Sequence, residues 1–391
     1  MMRVFYPPQV EAWWLAAAQR ATGREETADA LAALEADAGR LSDAFTVARP
    51  AAFGDYSADP RGLAAYGILF FPQTFARVRR VLAEWRQVSG NLPDRPLRVL
   101  DLGCGAGAAT LAALLELQPR PVSVTALDHS PHALAGLRQL FAACRDLWPA
   151  ASLTTEVADV RRAAPAGPFD LILASFVLNE VLGDAADDAV ESWLRGLLAC
   201  LAPAGSLAVI EPAGAATCER LQRLRNRFAA DPAVVLQAPC PHRRACPLLG
   251  AGCGYCHDVR SWRVPDSVSL INRRLQRSVH DLKHGLLVLG GPAATSPAWQ
   301  GDSTCFRMVA PLNRAKGRLV TRGCRGDGTL CEIEWMTRGA GRETIDALLA
   351  RERGDVLRMT APRLLGDNRT WRAEALAAIS AESALGRRTE C

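Results

Sequence analysis

Apolar residues recur at helical spacing over Glu11 to Ala21, Glu25 to Ala38 and Pro72 to Gln87, with Pro, Gly and Asp between the runs. Residues 1–95 therefore read as an N-terminal helical region, and the stretch Asn91 to Arg98, with two prolines, reads as a linker. The pattern then changes to short apolar runs separated by helical ones. Strands are expected at Leu97 to Leu102, Val122 to Leu127, Ser152 to Val157, Phe169 to Phe176 and Ser206 to Ile210. Helices are expected at Ala108 to Glu116, Pro131 to Trp148 and Asp187 to Leu201. Buried strands alternating with helices predict an α/β fold with a doubly wound, Rossmann-like parallel sheet.

The first strand runs into Gly103-Cys104-Gly105-Ala106-Gly107 and then a helix. Glycines at such a turn let backbone N–H groups approach a ligand and aim the positive helix end at it. Acids stand at three consecutive strand ends: Asp101 before the glycines, Asp128 after the second strand and Asp159 after the third. A carboxylate at each place suits a ligand ammonium, two ribose hydroxyls and an adenine amino group, which together describe S-adenosylmethionine rather than NAD. After the fourth strand comes Ser175-Phe176-Val177-Leu178-Asn179-Glu180 and not an Asn-Pro-Pro-aromatic tetrapeptide, which argues against an exocyclic base amine as methyl target. No catalytic residue is assigned: Glu180 reads better as a helix-start carboxylate than as a base, and Cys240 lies too far past the fifth strand for a nucleophile.

Composition narrows the class. The chain has 391 residues, 49% hydrophobic and 22% charged, which excludes a mostly disordered protein. No apolar run approaches the ~20 residues needed to cross a bilayer, and Pro7, Pro8 and Glu11 interrupt any signal-peptide core. With its Arg- and Ala-rich composition, a bacterial cytoplasmic protein without a membrane partner is expected. Positive charge is concentrated: Glu219 to Arg325 holds 18 basic and 6 acidic residues, a local net of +12 against +5 for the whole chain. That segment calls for a polyanionic partner.

Twelve cysteines without a secretion signal argue for metal or catalytic use of a subset. Cys104, Cys144, Cys200, Cys218, Cys305 and Cys391 are isolated, whereas Cys240, Cys246, Cys253 and Cys256 are clustered. Their spacing admits zinc or an iron–sulfur cluster. His242 and His257 read as loop neighbours of the thiols rather than ligands.

The run VLDLGCGAGAATLAALL through TALDHSP resembles class I S-adenosylmethionine-dependent methyltransferases over about residues 96 to 215. Cys-Pro-His-x3-Cys-Pro-Leu, aromatic-Cys-His and Lys-Gly-Arg-x4-Gly-Cys resemble the ribosomal small-subunit Rsm22 family, mitochondrial methyltransferase-like assembly proteins and their bacterial relatives. The resemblance implies a 4Fe-4S cluster on Cys240, Cys246, Cys256 and Cys324, with Cys331 outside the pattern and Cys253 an extra thiol. It also implies a small-ribosomal-subunit or rRNA partner, with no DNA expected. Tyr255 and Asp258 flank Cys256-His257 where the family has Trp and Phe. The expected organisation is a cofactor-binding core over 96–215, a basic Cys-rich metal-binding insertion over 216–335 and a C-terminal helical tail over 336–391. Lys283 to Leu289 and Gly317 to Gly323 are expected to complete a seven-stranded methyltransferase sheet as an antiparallel pair. Arg273, Arg274, Arg277, Arg314, Lys316, Arg318, Arg322 and Arg325 are expected to form one RNA-facing surface.

Overall fold

The structure, a computed structural model, describes residues 5–379 apart from 46–53, 91, 163–164, 251 and 253. Five helices come first. These are α1 (Pro8–Thr22), α2 (Thr27–Ala33), α3 (Glu35–Asp43), α4 (Pro60–Leu69) and α5 (Phe71–Val88). The single helix expected over Glu25 to Ala38 is broken at Leu34, and α4 was not foreseen. The Asp59 carboxylate caps α4 by accepting the Arg61 and Gly62 N–H groups, each at 3.2 Å. Gly67 in α4 is required by contact, since a Cβ there would sit 1.9 Å from the Trp14 indole.

The first sheet follows. Its first strands are β1 (Leu97–Leu102), β2 (Val122–Asp128) and β3 (Ala151–Val157), with α6 (Ala108–Glu116) and α7 (Pro131–Ala143) between them. Then come β4 (Phe169–Ser175), α8 (Val177–Val181), α9 (Asp187–Ala199), β5 (Leu201–Pro212) and α10 (Ala215–Ala230). The sheet ends with β6 (Val235–Ala238), β7 (Asp258–Ser261), α11 (Asp266–Arg274) and β8 (Asp281–Gly290). Strand order is β3-β2-β1-β4-β5-β8-β6, with β7 also paired to β8. Strands β1 to β5 are mutually parallel and β8 is antiparallel to β5, so the Rossmann-like methyltransferase architecture is present.

One expected strand lies elsewhere. Gly317 to Gly323 does not complete this sheet, because β6 and β7 share the far edge of β8 and leave no place for it. It belongs to a second sheet built from β9 (Cys305–Met308), β10 (Asn313–Ala315), β11 (Arg318–Arg325) and β12 (Leu330–Met336). After α12 (Arg342–Leu349) this sheet continues through β13 (Val356–Thr360), β14 (Arg363–Leu364), β15 (Thr370–Ala373) and β16 (Ala375–Ala378). The helical tail expected over 336–391 therefore holds one helix, α12, followed by short strands as far as residue 379, and 380–391 lie outside the described residues. The reason is burial: alternating side chains of β13 such as Leu357 and Met359 complete a core with Phe306, Met308 and Ile333.

The N-terminal helices are not a separate unit either. Trp14, Phe71, Phe75 and Val78 share one apolar core with Val99, Leu173 and Ile210 on one face of the first sheet. The chain between Val88 and Leu97 is thus a short connection within one core. Helices α9 and α10 cover the other face. No helix among the described residues is long and apolar enough to cross a membrane.

Candidate functional site: a glycine cradle and a thiol pocket

At the end of β1 the chain turns through Gly103, Gly105 and Gly107 with φ of 61°, 52° and 92°. A Cβ on Gly103 would lie 2.4 Å from Val177 Cγ2, and one on Gly107 2.2 Å from Leu137 Cδ1, so these two glycines permit close packing. Gly105 differs: its nearest neighbours in the Cβ direction are the hydroxyls of Tyr56 and Tyr66, at 3.9 and 4.0 Å. The space between Gly105 and these hydroxyls is the candidate cleft, and the N-terminus of α6, which has no side-chain cap, follows directly.

The three predicted acids are in different states. Asp101 is wholly buried; one oxygen accepts from the Thr110 hydroxyl at 2.5 Å and the other has no partner. Burial pushes its carboxyl up to about 7. Asp128 accepts the Gly105 N–H at 2.8 Å and the Ser130 N–H at 2.9 Å, which ties the glycine turn to the tip of β2. Asp159 lies just beyond β3 and is gripped by Arg161, with Nε at 2.9 Å and Nη2 at 2.8 Å, which holds its carboxyl down to about 2.

Sequence reasoning missed the cleft's second wall. The stacked Tyr56 and Tyr66 rings, 5.1 Å apart, come from the N-terminal region. Ser57 and Ser130 share a hydroxyl hydrogen bond of 2.6 Å, and Ser130 Oγ donates to Asp55 at 2.7 Å, so this region is tied to the β2–α7 turn. Helix α5 lays Arg77 over the Phe176 ring, with Cζ 5.5 Å from its centroid. Phe176 follows β4 with φ 66°, unusual for a bulky residue. The buried Glu211 then accepts the N–H groups of Leu178 and Asn179, at 2.9 and 3.2 Å. Ser175 Oγ and both His284 ring nitrogens are buried without partners. Glu180 is exposed on α8, and its charge, after burial, helps keep the Tyr66 hydroxyl protonated.

The thiols lie against α10. Cys240, Cys246 and Cys256 line one pocket with Cys218, Arg225 and Arg307. Cys324, brought in by β11 of the second sheet, packs with Cys246, Cys256, Leu248 and Val309. N–H groups are aimed at two of the sulfurs: Arg225 Nε donates to Cys240 at 3.1 Å and Gln222 Nε2 to Cys246 at 3.1 Å; His242 Nε2 lies 3.2 Å from Cys324 Sγ. Cys331 faces the core of the second sheet, and Cys253 lies outside the described residues. The expected metal-binding insertion does not appear as a formed ligand cage: no group of three or more His, Cys, Asp or Glu among the described residues is set to hold a metal ion. Burial pushes the Cys256 thiol up to about 11 and the Cys324 thiol higher still.

The basic residues do not form one face. Arg314, Lys316, Arg318 and Arg322 are exposed on β10–β11. Arg274 and Arg277 instead pair with Glu35 and Asp43 of the N-terminal helices. Arg325 is buried, bonded to the Ser303 carbonyl and stacked 3.9 Å over Trp371. The reason is the second sheet, which carries the β10–β11 hairpin on its own scaffold.

Comparison with known proteins places these features together. The trans-aconitate 2-methyltransferase of Streptomyces avermitilis is 37% identical over 124 residues, 31% of this chain and 41% of that protein. Its counterpart in Methylobacterium nodulans is 35% identical over 137 residues, 35% of this chain and 46% of that protein. The chain thus spans less than half the length of the curated relatives it matches. Among solved structures, the N-methyltransferase NodS from Bradyrhizobium japonicum has a TM-score of 0.34 at 19% identity, covering 56% of this chain and 97% of that one. The plantazolicin methyltransferase BpumL, in complex with SAH, has a TM-score of 0.38 at 12% identity, covering 67% and 98%. The family model described as mitochondrial small ribosomal subunit Rsm22 matches residues 61–358, well over half of the chain. That span holds the glycine turn, all four converging thiols and most of the second sheet, and the protein belongs to the Rsm22 family, on a class I methyltransferase core.

Proposed function

We propose that this protein binds S-adenosylmethionine in the Gly105 cleft and acts on, or helps assemble, the small ribosomal subunit through its rRNA. The observation that carries the cofactor part is the cradle itself. Gly105, with nothing nearer along its Cβ direction than two tyrosine hydroxyls, donates its N–H to Asp128, and Asp128 and Asp101, whose buried oxygen has no partner, stand on adjacent strands at their carboxyl ends, where doubly wound sheets bind nucleotides. Asp101 would hold the ammonium and Asp128 the ribose hydroxyls, with Gly103, Gly105 and Gly107 framing the turn. Asp159 would reach the adenine only on releasing Arg161. When bound, the cofactor supplies an electrophilic methyl group, and the chain's own contribution is to position it.

Cys240, Cys246, Cys256 and Cys324 would hold a 4Fe-4S cluster, with zinc as the alternative. What supports this is the donor chemistry: Cys240, Cys246 and Cys256 line one pocket and Cys324 of β11 packs against Cys246 and Cys256, with N–H groups aimed at the Cys240 and Cys246 sulfurs that would compensate thiolate charge. Such a cluster would clip the 240–256 loop to β11. The exposed hairpin cations Arg314, Lys316, Arg318 and Arg322 would meet phosphates.

The decisive experiment is transfer of tritiated methyl from S-adenosylmethionine to purified small ribosomal subunits. Transfer that is lost in Asp128→Ala identifies an RNA- or ribosome-directed methyltransferase; tight cofactor binding with no transfer identifies an assembly factor. A second reading, a methyltransferase for a small polycarboxylate, is favoured by the alignment of the core with trans-aconitate 2-methyltransferases. It requires methyl transfer to such an acid and no salt-sensitive RNA binding.

A further inference from the structure

The second sheet closes on itself. Strand β9 pairs antiparallel with β11 and with β13, and β11 pairs antiparallel with β12. Only Glu374 separates β15 from β16, so Thr370 to Ala378 act as one bent strand. Its first half lies parallel to β12 and its second half antiparallel to β13, which completes a ring of five. Helix α12 stands between the third and fourth strands of the ring and packs Leu348 into the core. A five-stranded barrel with this connectivity is of the OB type. Its interior is filled, since a Cβ on Gly323 would lie 2.5 Å from Ile333 Cδ1 and 2.6 Å from the Phe306 ring. A ligand of the barrel must therefore use an outer wall.

Two stretches of that outer surface are occupied. Arg307 of β9 bonds Asp258 of the first sheet, and Cys324 near the end of β11 packs against the thiol loop. The wall formed by β11, β12, β15 and β14 is open where β11 begins. There Arg318, Val320 and Arg322 alternate with Leu319, which points into the core. Register sets Met336 beside Arg318, Glu334 beside Val320, Arg372 beside Glu334 and Arg363 beside Arg372. Glu332, which faces Arg322, and Glu334 are the only acids on these four strands. Glu334 is buried and clasped by Arg318 and Arg372. The wall thus presents guanidinium groups around apolar Val320 and Met336, the latter 40% exposed. Four strands at a spacing of ~4.8 Å make it about 14 Å wide. The adjoining loops add cations at opposite ends: Lys316 just before β11, and Arg369 just before β15.

We infer that this wall takes a single-stranded segment of RNA, its bases laid on the guanidinium planes and on Val320 and Met336, its phosphates met by the loop cations. This rests on the rRNA reading above and gives it a surface and a partner class. Unpaired nucleotides have free base faces to lay on such a wall, whereas the faces of a duplex are already stacked on one another. Charge alone would draw either form, so the preference for single strands is what the barrel adds.

The test is fluorescence anisotropy of the full chain with a labelled RNA of about 12 nucleotides, within the span one such barrel covers, presented single-stranded and as a duplex with its complement. The unmodified protein is expected to bind the single strand at least about tenfold more tightly than the duplex. Arg322→Ala combined with Arg363→Ala is expected to weaken single-strand binding about 10- to 100-fold and to lower the slope of log affinity against log salt by about 1.4. Ala375→Glu combined with Ala377→Glu makes the same change in net charge on the β16 side of the barrel, at exposed positions. It is expected to alter binding by no more than about threefold. Thermal melts followed by dichroism check that both variants are folded. Equal affinity for single strand and duplex, or a loss from the first pair no larger than from the second, overturns the assignment and leaves the rRNA reading standing. Failure of the unmodified protein to bind RNA in any form, purified small subunits included, sinks the rRNA reading and this inference with it.

Discussion

Replacing Asp258 by Asn probes how the two sheets are joined. Asp258, Arg260 and Arg307 have side chains only 1%, 3% and 4% exposed. Asp258 accepts from Arg260 Nη2 at 2.9 Å with one oxygen and from Arg307 with the other. Arg260 also reaches Asp355 at 2.5 Å and Glu84 at 2.9 Å, so helix α5, the edge of the first sheet and the second sheet meet in one buried network. Burial works against ionisation of Asp258, yet Arg307 and Arg260 hold its carboxyl well below the usual range. Arg260 would keep three other carboxylates after the substitution, Glu84, Glu352 and Asp355, whereas Arg307 would keep only the Gly354 carbonyl, at 2.6 Å. Asn adds almost no volume, which matters because the backbone at Gly354 lies against the carboxylate. The cost is therefore that of stranding a buried guanidinium, about 3–5 kcal/mol, or a fall in melting temperature of roughly 4–6 °C for a chain of this length. Urea unfolding followed by far-ultraviolet dichroism and by tryptophan fluorescence would measure it and show whether the sheets still unfold together. The control is Arg314→Gln, which breaks a pair whose side chains are 62% and 52% exposed and should cost under about 1 kcal/mol. Adding Arg307→Met to Asp258→Asn should recover about half of the loss. A cost for Asp258→Asn no larger than that of the control would refute the argument that this network joins the sheets.

Other outcomes follow from the site. The Asp101 carboxyl, raised in the folded protein to about 7 against about 4 unfolded, contributes stability that is full below about pH 4 and is lost as pH rises toward 7. Asp101→Asn should flatten the urea midpoint between pH 4 and 8, and an unchanged profile would count against its burial as the cause. Asp128→Ala strands the N–H groups of Gly105 and Ser130 and should cost about 1–3 kcal/mol together with measurable cofactor affinity, read by calorimetry. Replacing Arg314, Lys316 and Arg318 by Ala should lower the slope of log affinity against log salt for single-stranded rRNA fragments by about 2; an unchanged slope would remove the hairpin from the RNA interface. Cys324→Ser should reduce bound iron and sulfide in anaerobically purified protein while leaving cofactor affinity within about twofold, and stoichiometric zinc in the parent would overturn the cluster.

How much could be read from the chain alone depended on the range of the forces involved. The doubly wound core, its strand positions, the glycine turn and the acids at the strand tips were all legible, because periodicity and turn chemistry act within a few residues and strand tips in a parallel sheet converge by construction. The same logic carried the family assignment, since the cysteine pattern is local in each of its pieces. Long-range packing decided the rest. Whether 317–323 joined the first sheet or another depended on the edge of β8 being already occupied by β6 and β7, and no local pattern in 317–323 encodes that. The C-terminal segment became strand because Leu357 and Met359 found Phe306 and Ile333 to bury. Tyr56 and Tyr66 came to face Gly105 only because the N-terminal helices fold back onto the core, a long-range contact that no local pattern in residues 55–66 encodes.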